Sequence, residues 1–171
     1  MTSKRRDALT RERADPLDPR AARVAALDAL ARREHASGDL RRKLIDKGFN
    51  PALVDEVIGR LTTEKLIDDR RYVENFIGFR ALRGQGPLRV RADLRKIGVT
   101  GDLIEEGMGS FSDWLGPLRK AREKKFGTRL PTDYADRQRQ ARFLGYRGFT
   151  SAQIRMALGF DTDIDEDVRD L

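Results

Sequence analysis

The sequence predicts an all-α protein of three tandem three-helix, helix-turn-helix-like repeats forming an elongated, curved array. Three observations carry this reading. Gly48, Gly98 and Gly148 stand fifty residues apart, each followed by an apolar residue (Phe49, Val99, Phe149) and a capping type (Asn50, Thr100, Thr150). A leucine precedes each glycine by four positions (Leu44, Leu94, Leu144), and a branched apolar residue follows it by six (Val54, Ile104, Ile154). No segment has the apolar–polar alternation of a half-buried strand. Self-similarity at so long a period marks helical units that bury their faces on one another.

Residues 1–17 read as a flexible charged N-terminus. The first repeat, 18–66, opens at Asp18-Pro19, a capping residue followed by a proline whose missing N–H costs nothing there. Its first helix is expected to run to about His35 with Leu27 and Leu30 inward, until Ser37-Gly38 breaks it. A short helix from Asp39 to Lys47 buries Leu40 and Leu44, and Gly48 supplies the left-handed stop. Asn50-Pro51 starts a third helix whose Val54, Val57, Ile58 and Leu61 form one stripe.

In the second repeat, 67–109, Asp68-Asp69 caps a helix bearing Tyr72, Val73, Phe76 and Ile77. Gly84-Gln85-Gly86 ends it, and Pro87 begins a short helix with Val90, Leu94 and Ile97 on one side. Thr100 is expected to cap a brief, weak helix ending near Gly107 to Gly109. The third repeat, 110–160, turns Trp114, Leu115 and Leu118 inward and closes its first helix at Gly127. A longer connection to Pro131 follows, and Thr132 or Asp133 caps a helix to Arg147 with Phe143 and Leu144. Ile154 and Leu158 mark a last helix stopped by Gly159; residues 161–171 read as an acidic, disordered tail able to shield a basic surface.

Of 171 residues, 37% are charged and 39% hydrophobic, enough for a packed core in a polar setting. The excess of 35 Lys+Arg over 28 Asp+Glu predicts attraction to a polyanion or an acidic protein surface. The absence of cysteine excludes disulfides and thiolate metal sites. No apolar run reaches membrane-spanning length, and the first twenty residues lack a signal-peptide core, so a soluble cytoplasmic protein is expected.

Several motifs resolve into turns or tails. Gly-Gln-Gly-Pro lacks the Lys-Ser/Thr of a phosphate loop and the strand before it. His35, the only histidine, sits at a predicted helix end, with no orienting partner evident for catalysis. Asp161 to Asp167 imitates the start of a calcium loop without its glycine or its final Glu. With no nucleophile–base pair, metal set or cofactor motif, an enzyme is not indicated.

The basic runs remain. Arg32, Arg33, Arg41, Arg42, Lys43 and Lys47 lie in the first repeat. Arg80, Arg83, Arg89, Arg91, Arg95 and Lys96 lie in the second, and Arg119, Lys120, Arg122, Lys124 and Lys125 in the third. Stacked repeats present such runs as one face, and arginine suits bidentate contact with phosphate or carboxylate. The middle helix, with Arg91 and Arg95 pointing away from its apolar side, is the expected main contact.

The stretches LARREHASGDLRRKLIDKGF, LIDDRRYVENFIGFRALRGQGPLRVRADLRKIGV and RFLGYRGFTSAQIRMAL together resemble the RecX family of bacterial recombination regulators, over about Leu27 to Leu158. The resemblance implies a modulator, usually an inhibitor, of the RecA filament on single-stranded DNA, lying in its helical groove. It implies effects on RecA recombination, ATP turnover and co-protease activity, and contact with DNA. A monomer without a cofactor, touching single- and double-stranded DNA, is expected. By the same resemblance Arg80, Arg83, Gly84, Gly86, Pro87 and Arg91, with Arg32 and Arg33, are carried over as contact residues. Gly78, Gly107 and Gly145 depart from the usual pattern and are expected to soften their helices, and the third connection is longer than usual. A free-standing DNA-binding repeat protein using the same basic face is the alternative.

Overall fold

The computed structural model describes residues 15–159. Most of the expected N-terminal arm and the acidic tail lie outside the described residues. Among the described residues there are nine α-helices and no strand: α1 (Pro19–Arg32), α2 (Ser37–Asp46), α3 (Pro51–Thr63), α4 (Asp69–Leu82), α5 (Pro87–Ile97), α6 (Gly101–Ser110), α7 (Leu115–Phe126), α8 (Tyr134–Tyr146) and α9 (Ser151–Leu158). They separate into two compact units divided after Asp69, so that the second and third repeats share one unit.

The fifty-residue period has one physical origin in the backbone. Gly48, Gly98 and Gly148 all take positive φ (98°, 94° and 87°). In each repeat the residue after the glycine donates its N–H back to the leucine carbonyl: Phe49 to Leu44 at 3.3 Å, Val99 to Leu94 and Phe149 to Leu144 at 3.2 Å. The glycine N–H closes a shorter bond to Ile45, Arg95 and Gly145 respectively. This is the Schellman arrangement, which satisfies the last carbonyls of a helix and favours a residue without Cβ. The three leucines are fully buried.

In the first unit Asp18 caps α1 by accepting from the Arg20 and Ala21 N–H groups, and Asn50 caps α3 through Ala52 and Leu53. The buried face of α1 is Ala22, Ala26 and Ala29, with Leu27 and Leu30 packed at its edge. Small residues let α1 approach α2 and α3 closely around Leu40, Leu44, Val54 and Leu61. Helix α1 ends at Arg32 rather than His35, because Arg33 is extended (φ −165°, ψ 161°). Ser37-Gly38 therefore starts α2 instead of breaking α1. The cap of α2 comes from Asp69, whose carboxylate accepts the Ser37 N–H at 2.7 Å and its hydroxyl.

In the second unit, α6 reaches Ser110 and is longer than its composition suggests. The helix runs unbroken through Gly107. A Cβ there would stand 2.5 Å from the Val73 side chain, so the glycine is what lets α6 lie against α4. Thr100 makes no side-chain cap bond. Asp133, not Thr132, caps α8 by accepting from the Asp136 N–H, and Thr150 with Gln153 forms a reciprocal capping box on α9. Trp114 and Leu118 are buried, and Leu115 is half-buried.

The seam between the second and third repeats is made by backbone. The Gly86 N–H donates to the Arg147 carbonyl at 2.7 Å, and the Leu88 N–H to the Gly148 carbonyl at 2.9 Å. The first turn of α5 thereby gives two of its orphan N–H groups to the Schellman turn of the next repeat.

Candidate functional site

The basic residues divide by what holds them. Arg41 on α2 meets Asp55 on α3 through Nε at 2.6 Å and Nη2 at 3.1 Å. Arg91 on α5 meets Glu105 on α6 in the same bidentate way, at 2.8 and 2.9 Å. These are equivalent positions, each fifty residues on. The Arg41 hydrogen bond holds the Asp55 carboxyl below its ordinary pKa, and the Arg91 hydrogen bond does the same for Glu105. Both arginines therefore brace a short helix against the helix that follows. The third repeat has Ala141 and Arg155 at these positions and forms no such pair.

A second knot lies at the start of α2. Asp39 receives His35 Nδ1 at 2.7 Å, Arg42 Nη2 at 3.2 Å and Arg33 Nη2 at 3.3 Å. Burial pushes the Asp39 carboxyl up, but the hydrogen bonds of His35 and Arg42 and the His35 and Arg33 charges outweigh it and hold it below its ordinary value. His35 is buried, and its Nε2 has no hydrogen-bond partner. The histidine thus sits ahead of a helix N-terminus, not at a C-terminus. It has an orienting carboxylate yet offers no nitrogen to a substrate. Its role is to lock the α1–α2 corner from which Arg32, exposed, and Lys43, half-buried, emerge.

Around the middle hinge the cations are placed differently. Half-buried Arg80 lies 4.7 Å over the Phe76 ring, donates to Gln85 Oε1 at 3.2 Å and approaches Asp93 at 3.6 Å. Exposed Arg83 lies 4.2 Å over the Phe79 ring, and its carbonyl accepts Arg147 Nη1 at 3.0 Å. Gly84 has φ +71°, and a Cβ there would stand 2.7 Å from Ala121 Cβ on α7. Gly86 and Pro87 are buried, Gly86 within the repeat seam. Arg89 is exposed beside Gly148, and Arg83 and Arg89 have no carboxylate partner among the described residues. Arg95 and Lys96 are exposed further along α5.

The structure thus brings Arg80, Arg83, Gly84, Gly86, Pro87 and Arg89 together at one seam. It turns Arg91 toward Glu105 instead. Arg122, counted from sequence among the basic runs, is buried, donating to the Thr128 and Arg129 carbonyls at 3.0 Å and to Gln140 Oε1 at 3.4 Å. Sequence reasoning passed over Arg147, which anchors Arg83 and lies 5.2 Å over Phe143. The only signal for it was its place beside the repeat glycine.

Three family models match this chain: the first three-helix domain of RecX over residues 22–61, the second over 68–108 and the third over 118–158. The regulatory protein RecX of Halorhodospira halophila is 42% identical over 147 residues, covering 85% of this chain and 91% of its own. That of Ectopseudomonas mendocina is 41% identical over 146 residues, covering 84% and 97%. Among solved structures, RecX from Lactobacillus salivarius superposes with a TM-score of 0.70 at 18% identity, over 82% of this chain and 94% of that one. Among the described residues no helix is long and apolar enough to cross a membrane. The match of all three domains in order, together with relatives above 40% identity across most of the chain, leaves one conclusion: this protein belongs to the RecX family of regulatory proteins.

Proposed function

We propose that this protein acts, without catalysing a reaction, by docking as a monomer in the helical groove of the RecA filament on single-stranded DNA. Docked there, in the cytoplasm, it restrains strand exchange, ATP turnover and co-protease activity. One observation carries the reading. The seam of the second and third repeats is closed by backbone bonds from Gly86 and Leu88, with Arg80 and Arg147 bonded within it, so the Arg83 and Arg89 side chains are not consumed in holding the fold. Arg83 and Arg89 stand beside this rigid turn free of carboxylates, whereas Arg41 and Arg91 are engaged inside their own repeats. Arg32, Arg33, Arg42 and Lys43 of the first repeat, and Arg95 and Lys96, extend the proposed contact set.

Preorganised guanidinium groups on a seam whose geometry does not depend on them suit an acidic groove or a phosphate strand. The test is DNA-dependent ATP hydrolysis by the cognate RecA. The wild type should lower it, and Arg83→Glu with Arg89→Glu should lose most of that effect while keeping its melting temperature. Full inhibition by the folded double variant would remove the seam from the site.

A further inference from the structure

The long connection of the third repeat builds a cleft that the filament-docking reading does not use. It lies between the end of α7 and the start of α8, with a volume of about 560 Å³, in the size range of small-ligand sites. Lys125, Phe126, Arg129, Thr132 and Arg139 are on its wall. Asp136, the one carboxylate among the lining side chains, is occupied: it receives Arg139 Nη2 at 2.5 Å and Gln140 Nε2 at 3.2 Å. Lys125 and Arg129 have no carboxylate partner among the described residues.

The cleft is also built rather than incidental. Buried Arg122 reaches out from α7 and donates to the carbonyls of Thr128 and Arg129, which fixes the loop carrying the Arg129 side chain. Gln140, buried as well, joins Arg122 to Asp136. A buried guanidinium committed to loop carbonyls ties the wall to α7 without using a cation of the cleft. Lys125 Nζ is set 4.3 Å over the Phe143 ring, so it too is positioned without an anion.

We propose that this cleft binds a phosphate group, held by Lys125 and Arg129 with the Thr132 hydroxyl as a further donor. The phosphate belongs either to single-stranded nucleic acid or to a free nucleotide. Two cations in a fixed concave wall favour a compact, doubly accepting anion over an extended acidic peptide.

The experiment uses the full chain without RecA, so that its outcome is separate from that of the filament reading. Binding of labelled oligothymidylate and of ATP is measured for the wild type and for Lys125→Gln with Arg129→Gln, whose substitutions leave the Arg129 carbonyl in place. The double variant should keep its melting temperature and lose about tenfold or more in affinity for the source that binds. If that source is the strand, its salt slope should fall by about 0.7 for each phosphate the variant no longer neutralises. ATP that binds with amide shifts confined to 125–140 assigns a free nucleotide, and strand binding without ATP binding assigns the polymer. Unchanged affinity of the double variant for both probes, or displacement by polyglutamate as effective as by either, overturns the proposal. Full control of RecA by the same double variant would leave the filament reading standing whatever the cleft binds.

Discussion

Gly86 lies so close to Gly148 that a Cβ on Gly86 would stand 2.3 Å from the Gly148 carbonyl. The relation is reciprocal: Gly148 has φ +87°, and a Cβ there would stand 2.5 Å from Arg89 Cβ and 2.6 Å from the Arg89 nitrogen. The hinge is therefore not a loose connector between helices. It is the point where one repeat is welded to the next, and its glycines are required by close approach as much as by backbone angle.

Gly86→Ala should accordingly destabilise the second unit by about 1–3 kcal/mol or more, because the atoms it meets are backbone that cannot rotate away. Gly148→Ala adds the cost of positive φ and should lose at least as much. Gly59→Ala, where a Cβ meets nothing, is the internal control and should be neutral or slightly stabilising. Urea unfolding of the three variants checks the order.

The leucines beneath the three turns are fully buried. Leu44→Ala, Leu94→Ala and Leu144→Ala should each cost about 2–5 kcal/mol, the range for a buried leucine that leaves a cavity. Thermal or urea melts of the variants read this directly, and a loss below about 1 kcal/mol at all three would place the leucines outside the core.

Arg122→Met keeps an unbranched apolar stem and removes the donors of the side chain. It leaves the Thr128 and Arg129 carbonyls without their partner and should cost about 2–4 kcal/mol. Amide exchange should quicken through 127–133, whereas the first unit should keep its protection.

Asp39 gives a pH signature. Its folded pKa is lowered, so its contribution is fully present above the unfolded value, near 3.9, and is lost as pH falls through the lower folded value. Asp55, Glu64 and Glu105 are lowered in the same direction by Arg41, Arg23 and Arg91. Stability should therefore fall as pH drops below about 4, and Asp39→Asn should flatten part of that slope. A variant with the wild-type slope would mean that Asp39 is not held by His35 and its arginines.

The turns were legible in the sequence because they are local. Schellman glycines, Asx caps and proline starts are decided within about six residues, and the fifty-residue period repeated the same signal three times. The side-chain partners were not legible. Nothing near Arg122 in sequence announces that it folds back on Thr128 and Arg129, and its neighbours on α7 are exposed cations of the same kind. Propensity alone makes Gly107 a weak point, yet its place against Val73 depends on how α6 crosses α4. The Arg41–Asp55 and Arg91–Glu105 pairs were available in the same period, fourteen residues apart in both repeats. Reading the repeat for charges as well as for apolar positions would have found them. It would also have separated Arg91 from Arg83 and Arg89.

That separation makes the central claim testable with one comparison. Binding is measured at equal salt to the preformed RecA filament and to bare single-stranded DNA, for the wild type, for Arg83→Glu with Arg89→Glu, and for Arg91→Gln. The wild type should bind the filament more tightly than bare DNA, the seam double variant should lose this preference, and Arg91→Gln should keep it. Equal wild-type binding to the two targets, or a seam variant that prefers the filament as strongly as the wild type, would contradict it.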